Sequence, residues 1–252
     1  MKRESVKRWY RIVAIVLIGF LIAGTSIVFS MQPTLAALVC PRYFGFEQLS
    51  GRVFVNATMP GPLKAQLTRA MREGETKVAD FYGELRAAPE VLACATDSCW
   101  RGLGGSGAQA ISYASAGFRL APLGINPIIV AHELSHIELH ERLGLVKFMV
   151  GAIPAWFDEG LAVIVSEDPR YLLASTESDR CRVDATGSFP IAPMAWTRAA
   201  GTDHNLYARA ACRVLRWMNA NGGKAAALIL IKKVAEGVPF SEIYRDPVQE
   251  NS

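Results

Sequence analysis

The sequence predicts an α+β fold in which a small sheet-containing part precedes a helical one. Three observations carry this. Strand-like segments are confined to residues 52–120, a strongly capped helix occupies 127–143, and helical spacing dominates from residue 154 onward. With 252 residues, about half of them hydrophobic, the chain is long enough for one generous domain or two tightly joined subdomains.

The first element lies ahead of that domain. Ile12 to Phe29 holds no charged residue, and a helix of that length spans about 27 Å, close to the hydrocarbon thickness of a bilayer. Of the 27 basic and 23 acidic residues, Lys2, Arg3, Lys7, Arg8, Arg11 and Glu4 precede this run, so the formal charge of +4 resides in the first eleven positions. The expectation is a basic cytoplasmic tail at 1–11 and a transmembrane anchor at 12–29, making a single-pass membrane protein whose main domain is periplasmic or extracellular. A cleaved signal peptide, with Thr34-Leu35-Ala36 as a small-residue site, is the alternative. A nucleic-acid binder would carry its basic excess on the folded part, so nucleic acid is not expected as a partner.

Export would permit disulfides. Cys94 and Cys99 are close enough to clip a local loop, and Cys181 with Cys212 can staple a loop to a helix, leaving Cys40 over. Free buried thiols are the competing reading, since connectivity does not follow from one sequence.

The domain is expected to span 45–252. Arg52 to Thr58 alternates as a half-buried strand does, and Pro60-Gly61-Pro62 ends it. Leu63, Leu67, Ala70, Met71, Val78, Phe81 and Tyr82 predict an amphipathic helix over 63–85. Pro89 to Ala93 reads as a short strand and Gly102 to Gly107 as a turn, because it lacks the lysine and context of a nucleotide loop. Ala110 to Leu120 reads as one strand, a sheet edge flanking a cleft. Asn126 as N-cap, Pro127 at the first helical position and Gly144 past the end define the helix 127–143. A second helix is expected from Pro154 to about Ser166, then a long surface connection over 167–200. Helices at about 203–219, 224–236 and 239–245 complete a helical part over about 154–246.

The capped helix carries His132-Glu133-Leu134-Ser135-His136. Four residues turn a helix by about 400°, so both imidazoles share one face and can hold one metal ion. Zinc accepts imidazole nitrogen, and a catalytic zinc keeps one of four positions for water. Glu133, about 100° round the helix, lies beside that water rather than on the metal, as a base for its attack on a carbonyl requires. A buried helix that happens to carry two histidines is the plain alternative. For a third ligand there are His140 and Glu159. His140 is about 12 Å along the helix from His132, too far for a shared ion, and is expected behind the ligands or at the surface. Glu159, on the next helix, reaches the metal if the two helices pack antiparallel.

The motif pair, with Trp156-Phe157-Asp158-Glu159-Gly160-Leu161-Ala162 as its second half, resembles the zinc site of the gluzincins, above all their aminopeptidase branch. Length and the Pro154 to Ala162 segment resemble the compact peptidase MA-like group more closely still. The resemblance covers about 88–245 and is specific around 130–162. It implies a zincin-like fold, with Zn2+ bound by His132, His136 and Glu159 and Glu133 as catalytic base. It also implies a tyrosine on a later helix, for which Tyr207 stands in Tyr207-Ala208-Arg209-Ala210-Ala211, donating to an oxyanion. A packed core tyrosine is the equal alternative there, with His204 as substitute donor. The amine-binding strand of the aminopeptidases is absent from the sequence, so the resemblance gives no support to an exopeptidase.

The expected function is hydrolysis of peptide bonds in an exported protein or peptide by a membrane-tethered zinc metallopeptidase. A tethered zincin-fold binding or assembly factor with a non-catalytic zinc site is the rival, and a non-peptide hydrolase using the same zinc water is a third reading.

Overall fold

The computed structural model describes residues 33–177 and 179–245, together with Trp9, Val13 and Gly19. A short helix α1 (Pro33–Val39) and a 3-10 turn lead into a hairpin of β1 (Phe46–Ser50) and β2 (Val53–Asn56). Then come α2 (Gly61–Tyr82), β3 (Glu90–Ala93), α3 (Asp97–Gly102), β4 (Ala110–Tyr113) and β5 (Gly117–Leu120). The helical part holds α4 (Pro127–Leu143), α5 (Leu145–Met149), α6 (Ala155–Ser166), α7 (Pro193–Ala200), α8 (Leu206–Asn221), α9 (Lys224–Ala235) and α10 (Phe240–Ile243).

The sheet is mixed, in the order β1-β2-β3-β5-β4. β2, β3 and β5 run parallel, while β1 and β4 close the two ends antiparallel to their neighbours. The segment expected as one strand over 110–120 is therefore a hairpin. Its tip is Ala114, Ser115 and Ala116, with Ala114 in the left-handed region at φ 51°. No glycine, proline or asparagine marks that turn. Beneath the tip, Arg119 is buried on β5, donates to the Leu103 carbonyl at 2.6 Å and lies 4.2 Å from the centre of the Trp100 ring, which holds the glycine-rich turn in place.

α4 forms where its local signals put it. Asn126 Oδ1 accepts from the Ile129 amide at 3.0 Å, Pro127 needs no partner at the first position, and Gly144 leaves the helix at φ 78°. Apart from its two ends the helix is buried on nearly every side, including Glu133, Ser135, His136, Glu138 and His140. It lies between α2 and α6 at the centre of the larger core. Its polar residues thus need internal partners. Glu138 accepts from the amides of Arg86 (2.6 Å) and Ala87 (3.1 Å) and pairs with Arg142 (3.2 Å), fixing the segment that feeds β3.

Two disulfides join Cys94 to Cys99 and Cys181 to Cys212, with Cys40 free, and such bridges persist in oxidising compartments. The Cys181–Cys212 bridge pins the long 167–192 connection to α8. That connection ends earlier than expected, because Trp196 is buried and anchors α7 on the core.

The expected membrane anchor, and with it the single-pass localisation, is corrected. Among the described residues no helix is long and apolar enough to cross a membrane. The longest, α2, carries Lys64, Arg69, Arg72, Glu73, Glu75, Lys77 and Asp80, so one of its faces is charged along its whole length. The tail at 1–11 and the apolar run at 12–29 lie outside the described residues, save Trp9, Val13 and Gly19.

Candidate metal centre

α4 and α6 face each other across the core, and their contact brings three side chains to one point. His132 Nε2 and His136 Nε2 lie 3.1 Å apart, and Glu159 Oε2 lies 3.4 Å from the first and 3.5 Å from the second. A tetrahedral zinc with arms of about 2.0–2.1 Å separates its ligands by about 3.3 Å. The three atoms thus form one face of such a tetrahedron. The carboxylate oxygen is buried without a hydrogen bond of its own, so nothing else in the protein claims it. The donor set, two imidazoles and a carboxylate, is one that zinc accepts. The residues present therefore fit the ion.

Behind His136 stands Asp158. Its Oδ1 accepts from His136 Nδ1 at 2.5 Å, which leaves the lone pair of Nε2 directed at His132 and Glu159. Its Oδ2 accepts from His140 Nε2 at 2.8 Å, and the Nδ1 of His140 lies 3.3 Å from the Ala114 carbonyl at the hairpin tip. Burial would raise the Asp158 carboxyl, but His136 and His140 outweigh it and hold it far below its ordinary range. Burial disfavours a charged His136, yet Asp158 and Glu159 outweigh burial and raise this imidazole well above its ordinary value. Burial likewise opposes the charge on Glu159, and the two histidines hold its carboxyl down at about 2. With the imidazoles neutral, as metal binding requires, the ionised Asp158 and Glu159 leave the cluster negative, the electrostatic setting of a cation site.

Glu133 is buried beside this triangle. Burial pushes its carboxyl above the ordinary range, Glu159 adds to that, and His132, His136 and the Ser112 hydroxyl on β4 offset part of it. A carboxylate tuned upward beside a metal site suits a proton acceptor.

Tyr207, at the start of α8, packs its ring 6.4 Å from that of His132, stacked on Tyr171 at 5.2 Å and edge-on to Trp196 at 5.2 Å. Burial and then Glu159 push its phenol above the ordinary range, so it stays a neutral donor. Its approach depends on Gly160. A Cβ there would meet the Ala210 carbonyl at 2.7 Å, so the glycine lets α6 and α8 touch backbone to backbone. His204 is exposed, unlike the buried Glu133 and His136 of the cluster.

His132, Glu133, His136, Glu159 and Tyr207 are thus brought together, with His140 buried behind them. Sequence reasoning missed Asp158, Tyr171 and Ser112. The signal for Asp158 was its place next to Glu159 on a helix facing two histidines one turn apart. No protein-family model, curated protein or solved structure matches this chain. The likeness to gluzincins therefore rests on the residues of its two motifs.

Proposed function

We propose that the chain is a zinc-dependent metallopeptidase of gluzincin type that hydrolyses peptide bonds in a protein or peptide substrate. The observation that carries this is the triangle of His132, His136 and Glu159, with Asp158 orienting the second histidine and a buried carboxylate, Glu133, left over beside it. A purely structural site has no use for that fifth group. When bound, zinc would polarise a carbonyl and lower the pKa of water. Glu133 takes the proton of the attacking water and returns it to the leaving amine. Tyr207 donates its phenol hydrogen to the oxygen that gains charge as the carbonyl becomes tetrahedral. Ser112 holds Glu133 against β4, the open end of the sheet, whose backbone groups can align an extended peptide.

The test is metal analysis combined with digestion of a broad peptide library. The purified chain is expected to hold zinc near one per molecule and to cleave in a chelator-sensitive way. Glu133→Gln is expected to keep the zinc and lose turnover, whereas His132→Ala loses the metal. Absence of near-stoichiometric zinc, or cleavage unaffected by Glu133→Gln, overturns the assignment.

A further inference from the structure

A cavity of about 200 Å³ opens directly off the metal cluster, with His136, Asp158 and Glu159 at one end. Away from that end its walls are apolar: Leu139 and Leu143 of α4, Phe148 of α5, Ile153 and Ala155. The titratable groups lining it are His136, His140, Asp158 and Glu159, and all are engaged with one another. A charged side chain lying against Leu139, Leu143, Phe148 and Ile153 would have no ionisable partner in that part of the cavity and would be buried unpaired, which is costly. An apolar one loses only water.

The mouth extends this character. Leu145, Val146, Met149 and Val150 on and just after α5 are 64–74% exposed, and Ile191 and Met194, before and on α7, are 67% and 79% exposed. Both segments border the cavity, through Phe148 and Gly151 on one side and Pro193 and Thr197 on the other. The Ala155 amide ties Ile191 to the start of α6 at 2.8 Å. Six of the eleven exposed large hydrophobic side chains of the described residues thus lie within three residues of the cavity lining on these two segments, a concentration that marks a binding surface. Ser112 and Ala114, on the open end of the sheet and its hairpin tip, complete the wall.

We infer that this cavity receives a bulky apolar side chain next to the bond to be cut, and that the exposed apolar side chains beside it hold further apolar residues of the same extended segment. The substrate class is therefore a hydrophobic stretch of polypeptide in extended form. This rests on the peptidase reading above.

The experiment uses the zinc-loaded full chain and a peptide set in which each position around one cleavable bond is varied, with products identified by mass spectrometry. Leu, Ile, Met or Phe at one flanking position is expected to raise kcat/KM at least about tenfold over Asp, Glu or Lys. Ala152→Phe and, at the rim, Thr197→Phe narrow the cavity and are expected to move the preference toward Ala and Gly. Met149→Lys and Met194→Lys are expected to raise KM more for peptides with several apolar residues than for peptides with one. Binding of fluorescent peptides to Glu133→Gln should follow the same order without turnover. Cleavage and binding that ignore the flanking side chains overturn the inference and leave the peptidase reading intact. A zinc-loaded chain that neither cuts nor binds any of the peptides overturns both.

Discussion

His136 donates from Nδ1 to Asp158 Oδ1 at 2.5 Å, and the same carboxylate holds His140 through its other oxygen at 2.8 Å. One acidic residue on α6 thus sets the ring direction of a candidate ligand on α4. Partners in this position fix the tautomer and orientation of a metal-bound imidazole. Asp158→Asn is expected to weaken zinc binding by about 10–100-fold with the fold intact. Competition against a chromogenic chelator reads this, and an unchanged affinity would show that the ring is held by packing alone.

Tyr207→Phe separates the two roles open to that residue. As an oxyanion donor its loss is expected to lower kcat by about 10²–10³, with zinc content unchanged. If instead kcat holds and only thermal stability falls, the ring serves packing against Tyr171 and Trp196.

Gly160→Ala tests the contact between α6 and α8. Its Cβ has no room against the Ala210 carbonyl or against Val214 Cγ2 at 2.9 Å, so the helices must separate. The expected cost is about 1–3 kcal/mol in urea unfolding. Activity is expected to fall further than stability explains, because Glu159 and Tyr207 flank the contact. Wild-type stability in this variant would mean that the helices part at no cost.

Alkaline pH should expose the buried Tyr82, which contacts Ser135 Oγ at 3.2 Å. Burial pushes its phenol above the ordinary value of about 10, so the folded chain keeps a proton that the unfolded chain releases. Its contribution is whole below about pH 10 and is lost as pH rises toward the folded value, at up to about 1.4 kcal/mol per pH unit. Tyr82→Phe is expected to flatten the stability profile above pH 10, measured by chemical unfolding at stepped pH. An unchanged slope would assign the alkaline loss to other groups.

What the sequence made legible was local. α4 could be bounded because Asn126, Pro127 and Gly144 act within a few residues of themselves, and the shared face of His132 and His136 follows from helical geometry. The β4–β5 hairpin was hidden because its turn uses Ala114 in a left-handed conformation instead of glycine. β1, Phe46–Ser50, escaped notice because Phe46 is its one fully buried residue and leaves little alternation to read. The function of Asp158 was hidden for a different reason. A carboxylate beside Glu159 acquires a role only when α6 packs on α4, and such a distance is not written in either helix alone. The apolar run at 12–29 gave a strong periodicity-free signal, yet no membrane-crossing helix follows among the described residues.

The missing side chain at position 160 also bears on redesign. Because α6 and α8 meet through backbone there, the spacing between the segments that carry Glu159 and Tyr207 is set at this contact. A substitution at this contact shifts the backbone that carries Glu159 against the helix that carries Tyr207. Changing the spacing of the two side chains therefore means choosing substitutions on both helices at once.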